Sequence, residues 1–329
     1  MTDINIDEFE KSDKLTVNAM PSKTWYWLGV NDASLSWDKA SEKSLKTDEI
    51  TINDKEKHED IWLDLSDAEE SFNKKEIKLI AKEESTVTVI ANYALLKNVR
   101  IIIDINAGVN SKVKLIQVLT AAENSIYNEV NASCEKNAEF ELIQVFAGKK
   151  SDYSLDEAGK IYSNVKVELA GDASDFVYNM GYLGQGGNVL DYNIIVNHTG
   201  KNTNCNINAS GALKDNATKI FRGTIDFKKG ASGSVGAETE TVLMLGEDVV
   251  NKTVPVILCS EENVSGTHGA TIGELDEETL FYFESRGIDK KNAENIMARA
   301  AIERLTGITE NEKVNAVIDN TLKEVLGDD

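Results

Sequence analysis

Proline is confined to Pro21 and Pro255, and the long stretch between them carries none. A central strand cannot accept proline, because the missing N–H removes a ladder hydrogen bond. A chain whose strands are nearly all central would show this distribution. Alternation supplies the positive half of the argument. Apolar residues recur at every second position in Val99, Ile101, Ile103 and Ile105, and again at Val113 and Leu115, with Gln117 continuing the series. Similar runs follow at 140–146, 165–169, 192–196 and 220–227, and Cys205-Asn206-Ile207-Asn208-Ala209 sets asparagines on one face and small apolar groups on the other. A period of two is the signature of strands.

Between these runs lie short corners: Asn106-Ala107-Gly108, Lys136-Asn137-Ala138, Ala170-Gly171-Asp172-Ala173, Lys214-Asp215-Asn216-Ala217 and Lys229-Gly230-Ala231. Most read as a polar residue, then Gly or Asn, then Ala, ahead of the next strand. The recurrence is loose in spacing. A β-sandwich would share the alternation, but short strands, frequent corners and the lack of long intervening helices favour stacked coils, a β-solenoid.

The flanks differ from this core. Residues 1–75 are acidic and irregular, with Trp25, Trp27 and Trp37, and are expected to hold short helices. Residues 76–272 form the expected β core and 273–329 a helical domain. Asp276-Glu277-Glu278 places acids in the first turn of the first expected helix, and Arg286-Gly287 ends it. Asp289 caps the second, whose apolar stripe is Ala293, Ile296, Met297, Ala300, Ala301 and Leu305. Thr309 followed by Glu312 reads as a capping box for a last helix bearing Val314, Val317, Ile318 and Leu322.

Charge narrows the function. Lys+Arg number 35 against 56 Asp+Glu, a net charge of −21. Such a surface repels both the phosphates of nucleic acid and an anionic membrane. No apolar run is long enough to span a bilayer, and the first residues lack the basic and apolar regions of a secretory leader. Cys134, Cys205 and Cys259 are few, scattered and odd in number, which predicts neither a disulfide framework nor a CxxC-type metal site and suits a reducing, cytoplasmic setting.

The usual parts of an enzyme are missing from the sequence. Ala231-Ser232-Gly233-Ser234-Val235-Gly236 departs from a nucleophile elbow and reads as a turn. Gly184-Gln185-Gly186-Gly187 is followed by no helix signal and reads as a loop, not a phosphate cradle. The three cysteines read as packed, unreactive residues. Of three histidines, His58 sits among charges and reads as surface, and His198 ends a strand and reads as structural. His268 is different: it lies in Val264-Ser265-Gly266-Thr267-His268-Gly269-Ala270-Thr271, where small neighbours leave its imidazole open to something large.

From His198 onward the sequence resembles the SufB/SufD family of iron–sulfur cluster assembly proteins. The resemblance rests on His198-Thr199-Gly200-Lys201-Asn202-Thr203, Gly211-Ala212-Leu213-Lys214-Asp215-Asn216-Ala217 and Phe221-Arg222-Gly223. Above all it rests on Ser265-Gly266-Thr267-His268-Gly269-Ala270-Thr271-Ile272-Gly273, with Thr267 in place of the usual Ser, followed by Leu275-Asp276-Glu277-Glu278, Leu280-Phe281-Tyr282 and Ser285-Arg286-Gly287. Thr24-Trp25-Tyr26-Trp27-Leu28 adds a weaker echo of shorter SufD-like proteins.

The resemblance implies a right-handed parallel β-helix with helical ends, and a non-catalytic scaffold rather than an enzyme. It implies pairing through the β-helix end with a SufB-like paralogue, or with a second copy of the chain. It also implies a SufC-like ATPase bound to the C-terminal helices, and a transient Fe–S cluster shared at the pairing interface with no cofactor permanently bound. Carried over, His268 matches the interface histidine of SufD-type subunits, a candidate Fe or Fe–S ligand, and Phe281, Tyr282, Arg286 and Gly287 fall in the segment near SufC. Two departures point to the SufD side. Glu240 stands where SufB-type chains carry an interface cysteine, and Thr267-His268-Gly269 replaces their Glu-His-Glu. Gly266 occupies the place of a cysteine found in many SufD relatives. A polysaccharide-acting β-helix enzyme is the more distant alternative, and it would need acids and bases clustered on one solenoid face.

Overall fold

A computed structural model describes residues 14–24, 26–37, 42–44, 47–63, 72–94, 97–150 and 158–327. Its body is a parallel β-solenoid of about seven turns. Each turn gives one strand to each of two facing sheets. The first sheet runs, in hydrogen-bonded order, through Val250–Cys259, Thr218–Phe227, Val189–His198, Lys160–Leu169, Ser125–Cys134, Asn98–Ala107 and Phe72–Ala81, which pairs with both Glu42–Ser44 and Asp48–Ile52. The second runs through Ser265–Glu274, Val235–Leu245, Asn204–Lys214, Asp175–Gly184, Glu139–Gly148, Lys112–Ala121, Thr86–Tyr93 and Lys57–Leu63. Among the described residues the ladder thus takes in strands well before residue 76. Among the described residues of the N-terminal region the expected helical character is one 3₁₀ turn, Tyr26–Leu28, among short strands. Its acidic, irregular sequence lacks apolar 3.6 periodicity, and strand pairing sets most of its described segments.

Alternation works here as a solenoid requires. Inward residues of successive turns stack in register, so Phe140 lies on Phe176 (ring centroids 5.2 Å apart) and Ile101, Val130 and Val165 fill the same lumen. Corners are stacked too. Asn110, Asn137, Ala173 and Asn202 all adopt positive φ, and each donates its N–H to the carbonyl of the next corner. Asparagine tolerates this left-handed conformation, which explains its abundance there. Neighbouring turns are offset by 27 residues at Gln117/Gln144 and by 29 at Asn164/Asn193, so the sequence repeat is loose although the structural one is regular. Pro255 sits on an outermost strand, where a missing ladder donor costs least.

Four helices follow: α1 (Glu277–Ser285), α2 (Lys290–Glu303), α3 (Thr306–Thr309) and α4 (Glu312–Leu326). Asp289 caps α2 as expected, accepting from Asn292 N, and Asp276 caps α1 by accepting from Thr279 N while Glu277 and Glu278 hold its first turn. Two expectations need correction. The cap of α4 is Asn311, which accepts from Lys313 N and Val314 N, whereas Thr309 ends α3. The buried stripe of α2 is Ala293, Ala298 and Ile302, continuing to Leu305, and Ile296 faces outward. The reason is the flat surface it meets: α2 and α4 lie on the outer face of the second sheet, against Val118, Val145, Leu183 and Ala212. Gly181 permits that approach, since a Cβ there would overlap Leu305.

The open end of the solenoid as a candidate functional site

Among the described residues no strand stacks on the last turn. Val250–Cys259 pairs only with Thr218–Phe227, and Ser265–Glu274 only with Val235–Leu245, so two parallel edges stand side by side with free backbone groups. All ten residues of Ser265–Glu274 are exposed. His268 lies on this strand, directly opposite Glu238 in the ladder, as Ala270 lies opposite Glu240. Glu238 and Glu240 are buried and face the lumen. In a parallel in-register ladder the neighbour at about 4.8 Å points the same way. His268 therefore belongs to the inward row, and it is accessible only because no further turn stacks on it.

Beneath the mouth the lumen, which farther in holds apolar side chains and a neutral Gln117–Gln144–Asn128 network, becomes charged. Lys219 and Glu240 form an ion pair with both side chains buried. Thr253 donates its hydroxyl to Glu240 Oε2 at 2.6 Å and Tyr182 donates to Oε1 at 3.3 Å, while the Lys219 ammonium lies 5.4 Å from the Tyr182 ring centroid. Burial pushes the Lys219 ammonium below its ordinary range, against the pull of Glu240. Glu238, 4% exposed, is pushed up to about 7, first by burial and then by the Glu240 charge, with Lys219 opposing. Room for its carboxylate comes from Gly223 on the facing strand, where any Cβ would overlap it. Asn251 Oδ1, in the outermost turn, is enclosed and accepts no hydrogen bond from the described residues.

The remaining expected residues fall as follows. His198 is buried, its Nδ1 2.7 Å from Thr203 Oγ1 and its Nε2 3.3 Å from Cys205 Sγ, and burial lowers its pKa to about 4. It is a neutral structural histidine. Cys134 and Cys205 are buried with thiols pushed up to about 12, which makes them poor nucleophiles and poor metal ligands. Cys259, expected to be packed, is exposed. It ends the outermost strand of the first sheet, and its thiol donates to Glu261 O at 3.0 Å. On α1, Phe281 is 71% and Tyr282 56% exposed, with the Arg286 guanidinium 5.3 Å from the Tyr282 ring centroid and Gly287 at φ +81° closing the helix. Trp25 lies outside the described residues, and Trp37 is buried against Tyr127 and Tyr162 instead of joining Trp27. Lys219, Glu238 and Thr253 escaped the sequence reading. The available signal was charge at inward positions of an otherwise apolar alternation.

No group of three or more His, Cys, Asp or Glu side chains among the described residues is placed to hold a metal ion. No described helix is long and apolar enough to cross a membrane.

Comparison with known proteins adds an independent line. The family model for the SufBD core domain of the SUF system of FeS cluster assembly matches residues 65–301. The iron–sulfur cluster assembly protein SufD of Bacillus subtilis is 27% identical over 220 residues, 65% of this chain and 48% of that protein. SufD of Escherichia coli is 31% identical over 94 residues, 29% of this chain and 22% of that protein. A chloroplastic SufBD family protein of Arabidopsis thaliana is 29% identical over 96 residues, 29% of this chain and 17% of that protein. In each case the aligned stretch takes up less than half of the relative.

Proposed function

The chain belongs to the SufBD core family of the SUF iron–sulfur cluster assembly system, and from that premise we propose that it is a SufD-like scaffold subunit with no catalytic turnover of its own. It pairs through the open solenoid end with a SufB-like paralogue and carries a SufC-type ATPase on its C-terminal helices, in the cytoplasm. The observation that supports this reading is the position of His268: an exposed imidazole in the inward row of an edge strand that pairs on one side only among the described residues. Two free parallel edges would template further strands, and proteins ordinarily cover such edges. A second solenoid end offers the matching pair. Iron accepts imidazole as well as thiolate, so His268 can complete an iron shell whose sulfur ligands come from the partner chain. The cluster is cargo, built at the junction and passed on. Helix α1 presents Phe281 and Tyr282 outward, with Arg286 and Gly287 at its end, and these form the ATPase dock.

The test uses the full chain co-expressed with SufB-like and SufC-like partners. Under anaerobic reconstitution His268→Ala lowers the iron and sulfide retained while leaving the three-protein complex intact. Phe281→Ala with Tyr282→Ala releases the ATPase while leaving the SufB-like partner bound. Undiminished cluster formation in His268→Ala would remove the histidine from the proposal, and undiminished ATPase binding in the α1 variant would remove the dock.

A further inference from the structure

The outer face of the first sheet carries a strap formed by residues 14–37. Its contacts advance along the solenoid, strand by strand. Val17, Leu35 and Trp37 pack on Tyr127 and Tyr162. Asn18 donates to Asp191 Oδ1 at 2.6 Å, and Asn193 donates to Ala19 O at 3.4 Å. Arg222 donates to Asp191 at 2.6 and 3.1 Å and to the carbonyls of Val30 and Asp32. Finally Lys252 Nζ donates to Leu28 O at 3.0 Å. Tyr127, Tyr162, Asp191 and Lys252 occupy one row across the sheet, and Lys252 is on the outermost strand. The strap therefore delivers the Tyr26–Leu28 turn to the flank of the open end.

What it delivers there is apolar and presented to solvent: Tyr26 is 87% exposed, Trp27 77%, and Leu28 is exposed too. The buried Arg222–Asp191 pair and the backbone carbonyls it holds fix this turn to a rigid sheet, so little ordering entropy is lost if something grips it. Exposed Trp and Tyr side chains on an anchored backbone, at the border of an uncovered edge, have the composition of an interface hot spot. On the reading that a family solenoid covers the open end, we propose that Tyr26-Trp27-Leu28 is a docking knob that overreaches the junction and seats in an apolar pocket on the outer flank of that partner.

The rim around the mouth identifies which partner. Glu247 and Asp248 lead into one edge strand, Glu262 precedes the other, and Glu274 ends it, all exposed. Two copies of a chain with net charge −21 would bring these acids face to face, and like charges across an interface disfavour association. The occupant is a SufB-like chain with a basic rim, not a second copy.

The experiment measures association of the full chain with the SufB-like paralogue by sedimentation, at low and high salt. Tyr26→Ala with Trp27→Ala weakens binding ten- to a hundred-fold, and raising salt weakens the wild-type pair. A second variant, Ile257→Lys with Ile272→Lys, tests the end-on pairing itself. If the edge variant abolishes binding and the knob variant binds like wild type, the knob is overturned and the pairing stands. If the edge variant also binds like wild type, the underlying pairing falls and the knob falls with it. Wild-type chain that self-associates more tightly than it binds the paralogue would overturn the choice of partner.

Discussion

Replacing Glu238 by Gln should make the protein more stable, and only above a particular pH. The Glu238 carboxyl rises from its ordinary 4.5 to about 7 because it is shut into the lumen beside Glu240. Below pH 4.5 it is protonated in native and unfolded chains alike, and it costs nothing. Between 4.5 and about 7 the unfolded chain gives up the proton while the native chain keeps it, so native stability falls as pH rises. Beyond about 7 the native carboxyl ionises as well, and the loss levels off. At about 1.4 kcal/mol for each pH unit, the whole descent is on the order of 3 kcal/mol. Glutamine fills the same volume and has no proton to lose. Urea midpoints of wild type and Glu238→Gln, taken every half unit from about pH 4 to 8.5, should coincide at the acid end and diverge toward the alkaline end, with the variant ahead. Groups remote from Glu238 titrate alike in both proteins and cancel in the difference, which leaves Glu238 with its neighbours Glu240 and Lys219. A difference that is flat with pH, or a variant less stable at pH 8, would show that Glu238 is held ionised by Lys219, and the account of the charged lumen would be wrong.

Asp191→Ala leaves the buried Arg222 guanidinium without its counter-charge, at a cost of about 3–5 kcal/mol. Because that pair anchors the strap, the loss should appear as proteolysis within residues 14–37 and a red-shifted Trp37 emission. A strap as protease-resistant as wild type would refute the anchoring role. In the native protein one thiol of three should react rapidly with a disulfide reagent, and mapping should place the label on Cys259, the exposed cysteine. Fast labelling of Cys134 or Cys205 would contradict their burial. Gly181→Ala should loosen the helical domain from the sheet by about 1–3 kcal/mol, since its methyl overlaps Leu305; hydrogen exchange in α2 reads this, and unchanged protection would refute the close approach.

Much of this architecture was legible because two simple rules govern a solenoid. Alternation marks inside from outside, and proline-free strands mark a ladder paired on both sides. The runs at 99–105, 140–146 and 220–227 all lie in strands whose alternate apolar residues, such as Ile101, Phe140, Leu142 and Phe221, fill the lumen. The cap at Asp289 and the acids that open α1 are local chemistry and were read correctly. The α2 face was misjudged because helical spacing allows neighbouring stripes, and only the sheet it meets chooses between Ile296 and Ile302. Cys259 was misjudged because its strand has the apolar composition of an interior strand, and sequence does not reveal that this strand is the last.

That error and the missed charged cluster share one cause. Period-two reasoning treats every inward position as equivalent, yet inward positions of the terminal turns are core only when something lies over them. Lys219, Glu238 and Glu240 break the apolar rule at inward places, and His268 continues their row to the surface. A folding core would exclude such residues, since desolvating a pair like Lys219–Glu240 recovers little that a Leu–Leu contact would not. On the proposed pairing their place next to an uncovered end has a use: a charged layer would discourage the lumen from closing over itself or adding strands at random, and it would leave the imidazole on a polar floor, not an oily one. Converting Lys219 and Glu240 together to Leu and Met should therefore leave the solenoid as stable as before or more so, while weakening paralogue binding and cluster retention. A double variant that unfolds would show that the pair serves the fold, and one that assembles clusters normally would show that it serves neither.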